Sequence, residues 1–87
     1  MAISRIGLNE LEAALAVARR GSFRQAAIDL NVSTSALSTT IAKLETAIDT
    51  RLFNRTPRSV SLTEAGTLYL QQVGPALENI RAALGEV

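Results

Sequence analysis

Residues that stop one helix or cap the next punctuate this chain at close intervals. Gly21-Ser22 is followed so soon by Asn31 and Ser33 that only about two helical turns fit between them, and Thr63 opens a further segment downstream. Helices this short are not stable alone, so the chain must bring several of them together around one core. The spacing predicts a first helix from about Asn9, with Asn9 and Glu12 at capping-box distance and Leu8, Leu11, Leu15 and Ala18 recurring at helical intervals, ending near Arg20 at Gly21. Ser22 caps the second helix, with Gln25 three residues on and Ala26, Ala27 and Leu30 directed inward. The adjacent alanines let another helix approach closely. Asn31 tolerates the left-handed conformation of a tight turn.

Ser33 caps a third helix over residues 34–48, whose apolar stripe is Leu37, Ile41, Leu44 and Ile48. At 100° per residue the opposite face is Ser35, Ser38, Thr39, Ala42 and Thr46, flanked by Lys43. That face is short, hydroxylic and poor in acid. Glu45 and Asp49, four apart, read as solvated helix surface rather than a catalytic pair. Arg51 to Arg55 and Ser59 to Leu62 then alternate like strands around Thr56, Pro57 and Arg58, predicting a β-hairpin with a basic tip, Val60 and Leu62 facing in and Ser59 and Ser61 out. Thr63 and Glu64 begin a last helix of roughly 20 residues, about 30 Å long, in which Leu70, Val73, Leu77, Ile80 and Leu84 form a heptad seam with Gly66 in the same register. Gly74 and Pro75 interrupt it and predict a kink. The seam suits pairing with a second copy. Its rival is packing of Gly66, Leu70 and Val73 onto the chain's own first helix, leaving Leu77, Ile80 and Leu84 for a partner.

Composition removes other classes. Eighty-seven residues make one small domain, and with no cysteine and no histidine there is no disulfide and no ordinary zinc site to support it. No metal, cofactor or catalytic constellation is expected, and an enzyme is a poor reading. No stretch nears the ~18 apolar residues of a membrane span, so a soluble, cytoplasmic protein is expected. The net charge of +1 is small, but its distribution is informative. Residues 31–62 hold Lys43, Arg51, Arg55 and Arg58 against Glu45 and Asp49, and acid gathers towards the end of the chain.

Two short helices joined by a tight turn, the second with small polar side chains outward, followed by a basic hairpin, describe a mainly α winged helix-turn-helix. Residues 1–63 would form the three helices and the two-stranded wing, and residues 64–87 the long linker or dimerisation helix. A major groove about 12 Å wide accepts a helix whose leading side chains are small and form hydrogen bonds. Thr34, Ser35, Ser38 and Thr39 are the candidates for base contact. Arg24, Ser33, Lys43, Arg51, Arg55 and Arg58 are the candidates for backbone and wing contact, which supplies affinity and register.

The residues Gly21-Ser22-Phe23, Ala26-Ala27, Leu30, Val32-Ser33, Ala36-Leu37-Ser38, Ile41 and Leu44-Glu45 resemble the N-terminal domain of LysR-type transcriptional regulators. Arg51-Leu52-Phe53, Arg55-Thr56, Arg58, Val60 and Leu62-Thr63-Glu64-Ala65-Gly66 extend the resemblance through that family's wing into its linker helix. It implies a bacterial regulator that binds double-stranded DNA at a pseudo-palindromic operator as a homodimer paired through Leu70, Val73, Leu77, Ile80 and Leu84, with tetramers open to the intact protein. It also implies that a small-molecule effector would act only through a larger C-terminal domain that these residues do not include, so the chain reads as a piece of a longer protein. Thr34 and Ser35 stand where the family often has Gln then Pro, and Thr39-Thr40 where it often has Arg, so operator choice can lean on DNA shape. Ala14 replaces a bulky aromatic of the first helix, which predicts a core repacked around Leu15.

The rival function is a helical protein-interaction or dimerisation module with an idle wing, which the modest net charge keeps open. Single-stranded RNA binding would call for exposed aromatic platforms, and only 3% of the residues are aromatic.

Overall fold

The computed structural model of the protein describes residues 6–56 and 59–85. Their order is α1 (Leu8–Arg20), α2 (Phe23–Leu30), α3 (Thr34–Ile48), β1 (Phe53–Arg55), β2 (Val60–Leu62) and α4 (Glu64–Ala83). This is the mainly α, winged helix-turn-helix architecture that the punctuation predicts. The caps form as expected at three starts. Ser22 Oγ accepts from Gln25 N–H, Ser33 Oγ from Ala36 N–H and Thr63 Oγ1 from Gly66 N–H, each satisfying an otherwise orphan donor of a first turn. Gly21 and Asn31 close the preceding helices in the left-handed conformation, at φ 64° and 60°.

Helix α1 starts earlier than the Asn9–Glu12 spacing predicts. Gly7 is its N-cap, and the Glu10 carboxylate accepts from Gly7 N–H at 2.6 Å. Glu12 is released from capping and its carboxylate instead receives Arg81 of α4, with Nε at 3.1 Å. A carboxylate three residues beyond either candidate could close the turn, and the tertiary partner decides between them.

The core is filled where α1 crosses its neighbours. Ala13 and Ala14 of α1 and Ala26 and Ala27 of α2 are buried, so small side chains allow the close approach. Val17, Leu37, Ile41, Leu44, Leu52 and Phe53 fill the space around them. Ala14 is fully buried and Leu15 nearly so, consistent with a core repacked without the aromatic. Leu30 departs from expectation. It is 37% exposed because α2 ends there and turns away before its last residue can enter the core.

The hairpin is shorter than its alternating pattern, pairing Phe53 with Leu62, Asn54 with Ser61 and Arg55 with Val60 in antiparallel register. Val60 and Leu62 pack against the core and Ser59 and Ser61 face out. Helix α4 follows as one element through Gly74 and Pro75, so the interruption does not divide it.

The heptad seam is corrected. Leu70 and Leu77 belong to the chain's own core, at 7% and 3% exposure, and Val73 packs partly against it. Only Ile80 and Leu84 of that stripe remain exposed. The periodicity identified one apolar side of α4, and the chain's own core covers the greater part of it.

Glu45 departs from a solvated surface, whereas Asp49 stays exposed. Glu45 Oε2 accepts from Leu52 N–H at 2.7 Å and Phe53 N–H at 3.2 Å, joining α3 to β1. Asp49 is the left-handed cap of α3 at φ 52°. Beside this junction, Thr63 Oγ1 donates to the carbonyl of Arg51 at 2.7 Å. Gly66 lies against Leu52 so closely that a Cβ there would stand 2.1 Å from the Leu52 carbonyl oxygen. Only glycine permits that approach.

Candidate nucleic-acid interface

Helix α3 has two sides of opposite character. Leu37, Ile41 and Leu44 are buried against α1 and α2, and they fix the helix rotation. The other side presents Thr34, Ser35, Thr39, Ala42, Lys43 and Thr46, all exposed, with Ser38 half-buried at the edge facing the wing. The helix's one carboxylate, Glu45, is turned to the backbone of β1. The outer edge therefore carries hydroxyls and a cation without an opposing acid, the character that a helix entering a negatively charged groove requires.

Within this edge the hydroxyls are not alike. Thr40 donates to the carbonyl of Ala36, an internal helix bond. Ser35 Oγ lies 3.3 Å from the capping Ser33 Oγ. Thr34, Thr39 and Thr46 make no hydrogen bond through their side chains among the described residues, leaving donor and acceptor capacity open. The first turn of α3, with Ser33 exposed at its cap, also presents the positive end of the helix dipole.

Arg55 differs most from its expected position as a hairpin-tip phosphate contact. Its Nη1 donates to Ser38 Oγ at 2.8 Å, and its guanidinium carbon stands 4.2 Å from the centroid of the Phe23 ring. The cause is strand alternation. Arg55 shares a strand face with Phe53, two residues earlier, and that face looks towards the start of α2. Phe23 in turn meets Phe53 edge-to-face at 6.1 Å and 73°. An open cleft between the wing and the two helices is lined by Ser22, Phe23, Thr34, Ser38, Arg55 and Ser59. The wing thus reaches across to α3 as well as outward. Thr56 Oγ1 accepts from Ser59 N–H at 3.0 Å, holding the strand ends together.

Arg24 on α2, Lys43 on α3 and Arg51 before β1 are exposed. Arg58, with Pro57, lies outside the described residues. Of the residues expected to pair two copies, Ile80 and Leu84 are accessible and Val73 is half-buried, whereas Leu70 and Leu77 are enclosed. From the sequence alone Phe23 has no role beyond the resemblance and Glu45 no tertiary task. The period-two pairing of Phe53 with Arg55 was the legible signal for the first. The second had none, because a carboxylate on a helix does not announce which backbone will reach it. Among the described residues no helix is long and apolar enough to cross a membrane.

Comparison with known proteins agrees with this geometry. The model of the bacterial regulatory helix-turn-helix proteins of the lysR family matches residues 8–67. The chain is 45% identical over 83 residues to the HTH-type transcriptional regulator YcaN of Escherichia coli K12, covering 95% of this chain and 28% of that protein. It is 36% identical over 85 residues to the HTH-type transcriptional regulator PerR of the same strain, covering 98% and 29%. The chain therefore spans less than a third of the length of these relatives. Among solved structures, the complex of the BenM DBD with benA site 1 DNA superposes with a TM-score of 0.87 at 29% identity, covering 92% of this chain and 90% of that one. Full-length CbnR complexed with its target DNA gives 0.85 at 28% identity, covering 90% and 27%. With the match running from α1 into α4, the chain belongs to the lysR family of bacterial regulatory helix-turn-helix proteins.

Proposed function

We propose that this chain is the sequence-specific, double-stranded-DNA-binding domain of a LysR-type transcriptional regulator. The observation that carries the reading is the outer edge of α3, which is exposed, hydroxyl-rich and free of acid, on a helix whose rotation is locked by three buried aliphatic residues. Thr34, Ser35, Ser38 and Thr39 face base edges in the major groove. Arg24, Ser33, Lys43 and Arg51 contact phosphates, with Arg58 as a further candidate in the wing. The similar proteins BenM and CbnR, solved with DNA, support this assignment.

Two copies bind a pseudo-palindromic operator, paired through the part of α4 that the core leaves uncovered. Ile80 and Leu84 are 37% and 66% exposed, and the half-buried Val73 lies on the same side of the helix. Exposed apolar side chains on one side of a helix favour a partner. Activity on DNA puts the protein in the cytoplasm. Regulation by a small effector, or assembly to tetramers, would belong to the further length that the relatives possess.

Selection of bound duplexes from a random pool tests the whole reading at once. The expected result is a two-fold symmetric site whose half-sites are separated by about one helical turn or a multiple of it. Retention of duplexes without any sequence preference would leave only polyanion attraction and sink it.

A further inference from the structure

The hydroxyl of Ser38 differs from the other hydroxyls of the edge because one of its lone pairs is already taken by an arginine. A guanidinium can only donate, so in the 2.8 Å contact with Arg55 Nη1 the Ser38 oxygen must accept. Thr40, two residues on, spends its proton on the Ala36 carbonyl, but Ser38 makes no such bond among the described residues. Its proton is therefore left for a group outside the chain. Arg55 is itself held in place. Its guanidinium stands 4.2 Å from the Phe23 ring centroid, Phe23 rests edge-on against Phe53, and Phe53 is 1% exposed in the core. A continuous stack runs from the core to the reading edge.

An unconstrained serine hydroxyl donates or accepts and so tolerates several bases. We propose that Arg55 is a positioning residue that reduces this ambiguity: it occupies one of the two lone pairs of Ser38 Oγ and sets its positive charge against any second donor, so that Ser38 acts outward as a donor to a hydrogen-bond acceptor on DNA. The acceptor is guanine O6 or N7, adenine N7, thymine O4, or a phosphate oxygen, and an amino group of cytosine or adenine opposite Ser38 is disfavoured. The nearby positive charge of Arg55 works in the same direction. This inference rests on the DNA-binding reading and adds a polarity to one of its contacts.

The test is selection from a random duplex pool with the wild-type 87-residue chain, Ser38→Ala, Arg55→Ala and the double variant, followed by salt titrations on the preferred site. With a base acceptor, the wild type rejects the amino-bearing base at one position per half-site by about tenfold. Arg55→Ala and Ser38→Ala each relax that same position, and the double variant relaxes it no further. With a phosphate acceptor, both single variants weaken every duplex by a similar factor, again with no added loss in the double. In either case the salt slope of Arg55→Ala stays at the wild-type value. Equal, additive losses from Arg55→Ala in both backgrounds, with the slope reduced by about 0.9 per arginine removed, would make Arg55 a phosphate contact of its own and overturn the proposal. A wild-type chain without sequence preference fails earlier, taking the DNA reading and this inference together. Thermal unfolding of the exposed Arg55→Ala variant is expected to remain a single cooperative transition, so the readouts report recognition.

Discussion

The junction around Leu52 and the outer edge of α3 are both rich in polar groups, yet they use them in opposite ways. At the junction the polar groups are consumed internally. Glu45 takes two backbone N–H groups, and Thr63 Oγ1 both accepts from Gly66 and donates to Arg51. At the outer edge Thr34, Thr39 and Thr46 keep their capacity unspent. Polar groups that hold a fold are bonded and enclosed, because an unpaired buried one costs about 1–3 kcal/mol. Those reserved for a partner can remain solvated at almost no cost. The junction thus determines how the wing and α4 leave the core, while the edge contributes little to stability and can be varied for recognition.

The sharpest way to break the junction is Gly66→Ala. The added methyl would meet the Leu52 carbonyl at 2.1 Å, and since backbone must move, a loss of about 3 kcal/mol or more is expected. Chemical denaturation would measure it, and a loss near zero would mean that α4 can shift freely. Next in size is Glu45→Ala, which strips a charged acceptor from two backbone donors and should cost about 2–3 kcal/mol. Glu45→Gln keeps an acceptor oxygen and should recover roughly half of that, as read from paired unfolding midpoints.

The edge predicts the converse. Thr39→Ala should leave the unfolding midpoint within about 0.5 kcal/mol of wild type while changing preference among duplexes by about 1 kcal/mol. An altered midpoint with an unaltered preference would erase the contrast between the regions. Lys43→Ala should weaken all duplexes alike and lower the magnitude of the salt slope by about 0.9 per lysine removed, which a titration against salt resolves. The smallest effect lies at Tyr69, on α4. Burial raises its phenol above the ordinary value of 10.0. The native state therefore keeps its proton while the unfolded chain loses it, so this contribution is fully present below pH 10.0 and declines as pH rises beyond it. Tyr69→Phe should flatten that alkaline decline in stability, and an unchanged profile would contradict the burial account.

Much of this was legible before the fold was known. Ser22, Ser33 and Thr63 cap helices because their oxygens reach the N–H groups of the next turn, a purely local event. The stripe of Leu37, Ile41 and Leu44 and the strand alternation through Val60 and Leu62 follow from backbone periodicity. The exposed outer edge of α3 was legible as the complement of its apolar side. The fate of α4 was not. Its stripe declares which side is apolar but is silent on whether the chain's own core or a second copy covers it, and Leu70 and Leu77 went to the core. Arg55 was legible as basic and near the turn, but its attachment to Phe23 and Ser38 depends on three elements meeting.

The sequence by itself determined where helices begin and end, which face of each is apolar, and that the middle of the chain offers hydroxyls and cations. These are properties of residues within a turn or two of one another. Tertiary structure alone decided that Glu45 would join α3 to the wing, that Glu12 would meet Arg81 rather than cap α1, and that Arg55 would orient Ser38. Such pairings require side chains distant along the chain to converge, and a hydrogen bond falls off so steeply with distance and angle that only the assembled core selects among the available partners.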